Sequence, residues 1–319
     1  MVKPEILIIS NRYDFACDYI CACLHEENSN YLRLNTDDLL HLHVFMNPIN
    51  GEIEIKIDDQ LYKIDTDSLK SILYRGPTYL RETSVLNLSP EDKLSKSQWT
   101  AFIRTLMVFD KCRWMNHPHA TYFAETKAVQ LKIAHQVGFQ VPNTIITNSD
   151  LWHEKITPNS ANEVIVKGID TIYLGIGEKL AFGYTNVVER SNLSYETMSI
   201  APVFLQQYLD PKVDLRVTVV DKEVFSVEIL VDRQGVSGDW RLKKDSVEYV
   251  PIDLPIDIKT KCIELVSKLG LSYGAIDLAR VNETYYFIEI NPTGEWAWLV
   301  DQSNLRIDFA IAQFLNRGV

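Results

Sequence analysis

Two rhythms of apolar and polar residues run along this chain, and the places where one gives way to the other outline its elements. Glu5–Ser10 is a short apolar run, Tyr13–Glu26 spaces its apolar residues at helical intervals, and Tyr31–Leu34 is a second short run. A β-α-β start of this kind predicts an open α/β domain. Glu52–Ile57 alternates strictly and then meets Asp58-Asp59-Gln60, the pattern of a hairpin. Ser71–Pro77 reads as a strand ending in a turn, which puts Arg75 at a strand end, where open α/β sheets hold ligands. A long helix is predicted from Pro90 to Lys111, with Trp99, Ile103, Leu106 and Phe109 or Asp110 at helical spacing.

Asn116-His117-Pro118-His119 marks a boundary, after which Phe123–Val137 reads as a helix closed by Gly138. Val141-Pro142 opens an extended segment, Asn143–Thr147. Glu163–Lys167 and Val203–Leu209 are predicted strands, and a glycine-bearing loop region runs from Gly168 to Gly183. Leu215–Val220 and Val224–Val231 make a hairpin across Asp221-Lys222-Glu223, and Ile258–Leu269 a helix closed by Gly270. One boundary is expected near 116 and a softer one near 200, so the segments are 1–115, 116–200 and 201–319. No internal repeat or low-complexity linker interrupts them.

The last strand pair carries the sharpest chemical signal. Ala275–Ala279 is apolar around Asp277, and in Phe287–Pro292 the polar Glu289 and Asn291 alternate with isoleucines. Residues two apart share a face of a strand, so Glu289 and Asn291 project together and Asp277 on an antiparallel neighbour joins them. Oxygen side chains converging in an apolar sheet are costly unless a cation sits among them. Mg²⁺ is the natural candidate, because it takes oxygen ligands and shares them with phosphates. Two edge strands with solvated polar faces are the plainer alternative. Against that, Pro292 and Gly294 end the strand at the cluster, as an active-site loop would.

Composition narrows the classes. The 319 residues suffice for two or three packed lobes, at 46% hydrophobic and 24% charged residues. No run of 18 apolar residues is present, so no membrane span is expected, and the N-terminal run reads as a buried strand rather than a signal peptide. A net charge of −11 argues against a general nucleic-acid binder. The five cysteines are odd in number and read as reduced thiols of a cytoplasmic protein. His41/His43 and His117/His119 lack a matching carboxylate or cysteine set for zinc. A phosphate-loop motif, a dinucleotide fingerprint and a serine nucleophile elbow are all missing, Gly175-Ile176-Gly177 being too short to count.

Several cations and polar strand residues ask for partners. Lys167 ends a run of valines and points inward, where it needs an anion. Lys127 lies in the first turn of a helix, where the macrodipole disfavours a cation; it is either a solvated surface lysine or a phosphate ligand. Val203–Leu209 runs from an apolar start into Gln206-Gln207-Tyr208, which suits a segment lining a base pocket or a core strand equally. Asp214 and Arg216 share a strand face, as a surface pair or with Arg216 as a planar fork for phosphate charge. Asp239-Trp240-Arg241 sits in a loop with Gly235 and Gly238, a candidate substrate contact.

Taken in chain order, Lys127, Lys167, Gln206-Gln207-Tyr208, Asp214-Leu215-Arg216, Asp277 and Glu289-Ile290-Asn291 resemble the ATP-grasp carboxylate–amine ligases. The segments Glu125–Ala134, Val141–Asn148, Asp214–Val220, Asp239-Trp240-Arg241 and Glu289–Trp298 are similar to those of the graspetide (microviridin-type) peptide macrocyclases; the ribosomal-protein glutamate ligases are similar in the metal and phosphate motifs alone. The resemblance implies an α/β (α+β) ATP-grasp fold: an N-terminal open α/β domain, a central domain and a C-terminal antiparallel-sheet domain. It implies ATP and Mg²⁺, with Lys127, Lys167, Gln206, Gln207, Tyr208, Leu209 and Asp214 at the nucleotide, Asp277, Glu289 and Asn291 at the metal, and Arg216 and Arg241 in catalysis. Gln207 stands where such families often have Glu, which leaves a backbone contact to adenine but weakens a side-chain one. The implied reaction activates Asp or Glu carboxylates of a precursor peptide as acyl phosphates and joins them to Thr or Ser hydroxyls or Lys amines, with a leader segment docked on the central domain and a homodimer as the assembly. Two other readings stand beside it: a ligase adding a free amino acid to a peptide or small molecule, and a nucleotide-binding regulatory module without turnover.

Overall fold

The computed structural model describes residues 1–76, 89–156, 162–169, 173–176, 179–182 and 185–318. Its first layer is a parallel sheet in the order β2-β1-β6-β7, made of β1 (Ile6–Ser10), β2 (Tyr31–Asn35), β6 (Ser71–Tyr74) and β7 (Arg113–Met115). Alternation sends Ile6 and Ile8 to one face, against helix α1 (Phe15–Glu26), and Leu7 and Ile9 to the other. That other face packs on a three-stranded antiparallel sheet of β3 (His43–Asn47), β4 (Glu52–Ile57) and β5 (Gln60–Asp65). The expected hairpin is β4–β5, and β3 extends it.

Helix α2 (Pro90–Thr105) starts on the Ser89 cap and is shorter than its apolar spacing predicts. A 3₁₀ turn, Leu106–Val108, ends it. There the Phe109 carbonyl accepts from Cys112 Sγ (3.1 Å) and Trp114 Nε1 (2.9 Å), bonds that turn the chain into β7 instead of another helical turn. The single helix expected over Phe123–Val137 is two, α3 (Pro118–Ala124) and α4 (Lys127–Gln136). Gln130 Nε2 takes the Ala124 carbonyl at 2.7 Å, satisfying the end of α3 from inside α4 and holding the break at Glu125-Thr126.

The central sheet is antiparallel, in the order β12-β9-β13-β8: β8 (Thr144–Thr147), β9 (Glu163–Lys167), β12 (Asn186–Glu189) and β13 (Val203–Gln207). Where the Gly168–Gly183 stretch is described it forms a hairpin of β10 (Tyr173–Ile176) and β11 (Lys179–Phe182); residues 170–172, 177–178 and 183–184 lie outside the described residues, as does Pro77. Short helix α5 (Tyr195–Met198) leads into β13. The C-terminal sheet runs β16-β15-β14-β18-β19, from β14 (Val213–Val220), β15 (Glu223–Val231), β16 (Gln234–Gly235), β18 (Tyr273–Val281) and β19 (Thr284–Asn291), with β17 (Glu248–Pro251) also on β15.

Parity divides that last sheet. Leu215, Val217 and Val219 of β14, with Ile276 and Leu278 of β18, face a core shared with α4 and α6 (Ile256–Lys268). The opposite parity carries Arg216 on β14, and Tyr273, Ala275 and Asp277 on β18. Helices α7 (Ala297–Ser303) and α8 (Ile307–Arg317) cover the end of this second face and reach the N-terminal sheet, in one core with Ile6, Ile8, Val220, Tyr273 and Trp296. The segments therefore share cores: β13 joins strands from before residue 200, and α8 returns to the sheet of residues 6–115. Among the described residues no helix is long and apolar enough to cross a membrane.

Candidate active site

Antiparallel pairing puts Asp277 of β18 opposite both Arg216 of β14 and Glu289 of β19. A β-bulge at Asp277/Leu278 leaves Ile288 without a partner of its own, so Ile288 and Glu289 both line the same cavity. The two oxygens of Asp277 divide their work. Oδ1 accepts from Arg216 Nη1 at 2.8 Å and Oδ2 from Arg241 Nη2 at 2.7 Å. That same Arg241 nitrogen lies 3.2 Å from Glu289 Oε1, so one guanidinium bridges two carboxylates. Burial alone would raise the Asp277 pKa, but the two arginines outweigh it and hold the carboxyl below its ordinary range. Arg241 is pushed the other way, its charged form held by Asp277, Glu289 and Asp239 against burial.

Opposite this acidic pair sits a cation of a different kind. Lys167, at the end of β9, is buried, with Nζ 3.3 Å from Gln206 Oε1 and 5.8 Å from the centre of the Phe204 ring. Its partner is a neutral amide, and Gln206 is itself fixed by donating to Thr144 Oγ1 at 2.9 Å. Burial lowers the Lys167 pKa, and the field of Glu289 only partly opposes it. A buried ammonium whose partner among the described residues is a neutral amide suits an anionic ligand.

The remaining expected residues divide by position. Lys167, Gln206, Gln207, Tyr208, Leu209, Asp214, Arg241, Asp277 and Glu289 all line one cavity. The backbone N–H of Gln207 donates to Asn143 O at 2.8 Å. Tyr208 is buried, and its Oη accepts from Gly238 N (3.0 Å) and meets Ser237 Oγ (2.9 Å), which anchors the loop that carries Asp239 and Arg241. Arg216 stands one contact behind the cavity, on Asp277. Lys127 begins α4 as expected, with Nζ 3.5 Å from Gly168 O, but it is not among the residues lining the cavity. Asn291 shares the parity of Glu289 but does not line the cavity; its Oδ1 accepts from Thr293 N (2.9 Å) and Thr293 Oγ1 (3.2 Å).

Asp214 does not pair with Arg216. It pairs with Lys212, which lines the cavity too, and burial nonetheless raises its pKa. Lys212 was legible: it stands one residue before β14 and alternates with Asp214 and Arg216, the spacing that shares a face on an extended chain. Gln130 had no sequence signal. From α4 it donates to Ile290 O (2.8 Å) and accepts from Ile290 N (3.2 Å), which locks the Lys127 helix to the strand of Glu289.

The site fits a hard divalent cation. The Arg241 nitrogen between Asp277 Oδ2 and Glu289 Oε1 is a stand-in positive charge, and the flanking donors are all oxygens. Among the described residues no group of three His, Cys, Asp or Glu converges. Two carboxylates suit Mg²⁺, which usually completes its shell with water and phosphate.

Residues 124–315 match the description of the RimK-like ATP-grasp domain. Three solved structures share the fold over nearly the whole chain. A RiPP-associated ATP-grasp ligase of Chryseobacterium gregarium, in complex with ADP and a leader and core peptide, is 24% identical with a TM-score of 0.83, over 99% of this chain and 97% of that one. The macrocyclase MdnC of Microcystis aeruginosa MRC, bound with precursor peptide MdnA, is 21% identical with a TM-score of 0.80, over 98% and 99%. The ATP-grasp ligase PsnB, complexed with a phosphomimetic variant of minimal precursor, Mg and ADP, is 17% identical with a TM-score of 0.76, over 99% of both chains. No curated protein matches the chain in sequence.

Proposed function

The chain belongs to the RimK-like ATP-grasp family and is an ATP-dependent ligase that works with ATP and Mg²⁺; from that premise we propose that it macrocyclises a precursor peptide, joining Asp or Glu carboxylates to Thr or Ser hydroxyls or Lys amines. The observation that carries the reading is the pairing of opposites in one cavity. Lys167, a buried cation with a neutral partner, faces Asp277 and Glu289, a carboxylate pair bridged by a borrowed cation. A nucleotide phosphate chain with its divalent ion complements both: the phosphates suit Lys167 and the ion suits the carboxylates.

In this account Lys167 and Lys127 hold phosphate oxygens, and Gln206, Gln207, Tyr208 and Leu209 line the base, chiefly through backbone groups. Lys212 neutralises Asp214 beside them. Asp277 and Glu289 would hold Mg²⁺, and Asn291 at the strand end would join them by releasing Thr293; the ion when bound offsets phosphate charge and orients the terminal phosphoryl group. Arg241 leaves the carboxylates and turns its planar fork to the phosphoryl oxygens. Arg216 stays on Asp277 and offsets charge as the phosphoryl group moves. A substrate carboxylate oxygen bonds to the γ-phosphorus and ADP leaves, giving an acyl phosphate. A hydroxyl or amine then attacks the acyl carbon, loses its proton and expels phosphate. We assign the work of the segments accordingly: 201–319 carries the metal and Arg216, 116–200 covers the nucleotide, and 1–115 buttresses the reaction centre.

The likeness to the three peptide-bound ligases over nearly the full length favours a peptide substrate over a small molecule. Mass spectrometry tests it. The protein is incubated with ATP, Mg²⁺ and a peptide encoded beside its gene, rich in Thr and in Glu or Asp. Loss of one water per link supports cyclisation; a gain of a residue mass indicates amino-acid addition instead.

A further inference from the structure

The segment Pro292–Glu295 follows the strand of Glu289 and has no ladder to satisfy its backbone, yet none of its carbonyls is left to water. Four consecutive carbonyl oxygens each accept from a different side chain. Pro292 O takes Asn116 Nδ2 (2.9 Å), Thr293 O takes Arg75 Nη1 (2.8 Å), Gly294 O takes Tyr273 Oη (2.6 Å) and Glu295 O takes Arg216 Nη2 (3.1 Å). All four donors are buried. Gly294 has no room for a side chain: a Cβ there would lie 2.5 Å from Ala275 Cβ and 3.2 Å from Arg216 Nη2. Surface turns are ordinarily hydrated and tolerant. This one is held at every residue, and Arg216 is one of the holders.

Arg216 thereby has two anchors. Nη1 is on Asp277, and Nη2 is on the carbonyl of Glu295. The second anchor is only as fixed as the segment that bears it. Arg75, at the end of β6, grips that segment twice, through Thr293 O and through the Glu295 carboxylate. The Glu295 carboxylate is largely exposed, whereas Arg75 is buried and has Asp14 Oδ2 3.6 Å from its Nε. On the outer side, Arg75, Thr293 and Glu295 line a cleft of about 540 Å³; on the inner side the next group is Arg216.

We propose that Arg75 is a positioning residue for Arg216, acting through the Thr293–Glu295 backbone, so that the N-terminal sheet sets the aim of the guanidinium on the transferred phosphoryl group. The inference rests on the role given to Arg216 above. A misplacement of about an ångström at such a group is enough to cost rate heavily, which makes a second anchor worth building.

The test needs no peptide. ADP and AMPPNP, each with Mg²⁺, are titrated calorimetrically into the wild type, Arg216→Ala, Arg75→Met and Arg75→Lys. Arg216→Ala weakens AMPPNP relative to ADP by about tenfold, the loss of a positive charge one contact behind the terminal phosphoryl group. Arg75→Met shifts the same ratio in the same direction by about threefold or more, and Arg75→Lys, whose ammonium still reaches Thr293 O, restores most of it. The Arg216 Nε–H resonance, identified by its loss in Arg216→Ala, moves in Arg75→Met and returns in Arg75→Lys. Should Arg75→Met fail to fold, Glu295→Ala loosens the same grip from the exposed side and shows the same shift. A folded variant with the wild-type ratio and an unmoved Arg216 signal, while Arg216→Ala shifts the ratio, overturns the positioning role alone. An Arg216→Ala protein with an unchanged ratio overturns the assignment of Arg216, and Arg75 then has nothing to aim.

Discussion

Replacing Lys167 by methionine should make the nucleotide-free protein more stable and the nucleotide complex weaker. The side chain is buried against Phe204 and bonds a neutral amide, so its ammonium has given up water for one weak partner among the described residues. Leaving a polar group so poorly compensated costs roughly 1–3 kcal/mol, and methionine keeps most of the stem while removing the charge. Gln206 Oε1 loses its donor, which returns part of the gain, so the net is about 1–2 kcal/mol. Unfolding entropy of about 2.1 cal/mol/K per residue over 319 residues converts this to a rise in Tm of about 1.5–3 °C, if the chain unfolds as one unit. The pH dependence identifies the cause. The folded pKa of Lys167 is lowered from 10.5 by burial, so the unfolded chain binds its proton more tightly than the folded one. The penalty is therefore complete below the folded pKa and disappears as pH rises through that value to 10.5. The Tm gap between Lys167→Met and wild type is widest near neutrality and closes toward pH 10.5. In parallel, AMPPNP affinity falls roughly 10- to 150-fold, as expected for a charge-assisted contact of about 1.5–3 kcal/mol. Scanning calorimetry across pH and titration calorimetry at pH 7 read both. A variant that is less stable at neutral pH, with a gap flat in pH and unchanged affinity, would show that Lys167 is a satisfied core lysine.

Other residues give sharper single outcomes. Glu289→Ala should abolish ATP turnover while moving stability by no more than about 1 kcal/mol, because its partly exposed contact to Arg241 is 3.2 Å long; coupled phosphate release and a urea melt separate the two. Asp277→Asn removes the counter-ion of buried Arg216 and should cost about 3–5 kcal/mol in a urea melt. Gly294→Ala forces a Cβ against Ala275 and Arg216 and should cost about 1–3 kcal/mol, with turnover lost before fold. Burial works against ionisation of Asp65, but hydrogen bonds from Ser68 and Lys3 outweigh it and bring its pKa from 3.8 to about 2. The folded state therefore holds this carboxylate down, and its stabilisation is complete above 3.8 and lost as pH falls toward 2. Asp65→Asn should flatten that part of the acid limb of the stability curve.

What was legible in the sequence was the part encoded at short range. The alternation in Phe287–Pro292 and the inward-facing Asp277 located a strand pair, and the antiparallel register joins Asp277 to Glu289. Lys167 stood out because a lysine alternating with valines at the end of an apolar run needs an anion, and in the fold it shares the face of Ile165, which also lines the cavity. The misreadings share a cause, which is that a distant side chain decided the local outcome. Of the two readings open to Arg216, the pairing with Asp214 two residues away is not the one formed; it takes Asp277, which the fold brings to it from 61 residues off. The Phe123–Val137 pattern is helical throughout, and only the side chain of Gln130 reaching back to Ala124 O shows why it breaks. Arg75 was visible as an arginine at a strand end, yet its targets, Thr293 and Glu295, lie more than 200 residues downstream. Periodicity reports which face a residue takes and says nothing of what another element sets against that face.

The most direct measurement is a crystal structure of the protein grown with AMPPNP and Mg²⁺. The account predicts an ion shared between Asp277 and Glu289, Arg241 lifted from both carboxylates, and the Lys167 ammonium on a phosphate oxygen. A nucleotide held elsewhere, with Arg241 still bridging the carboxylates and Lys167 still on Gln206, would contradict it.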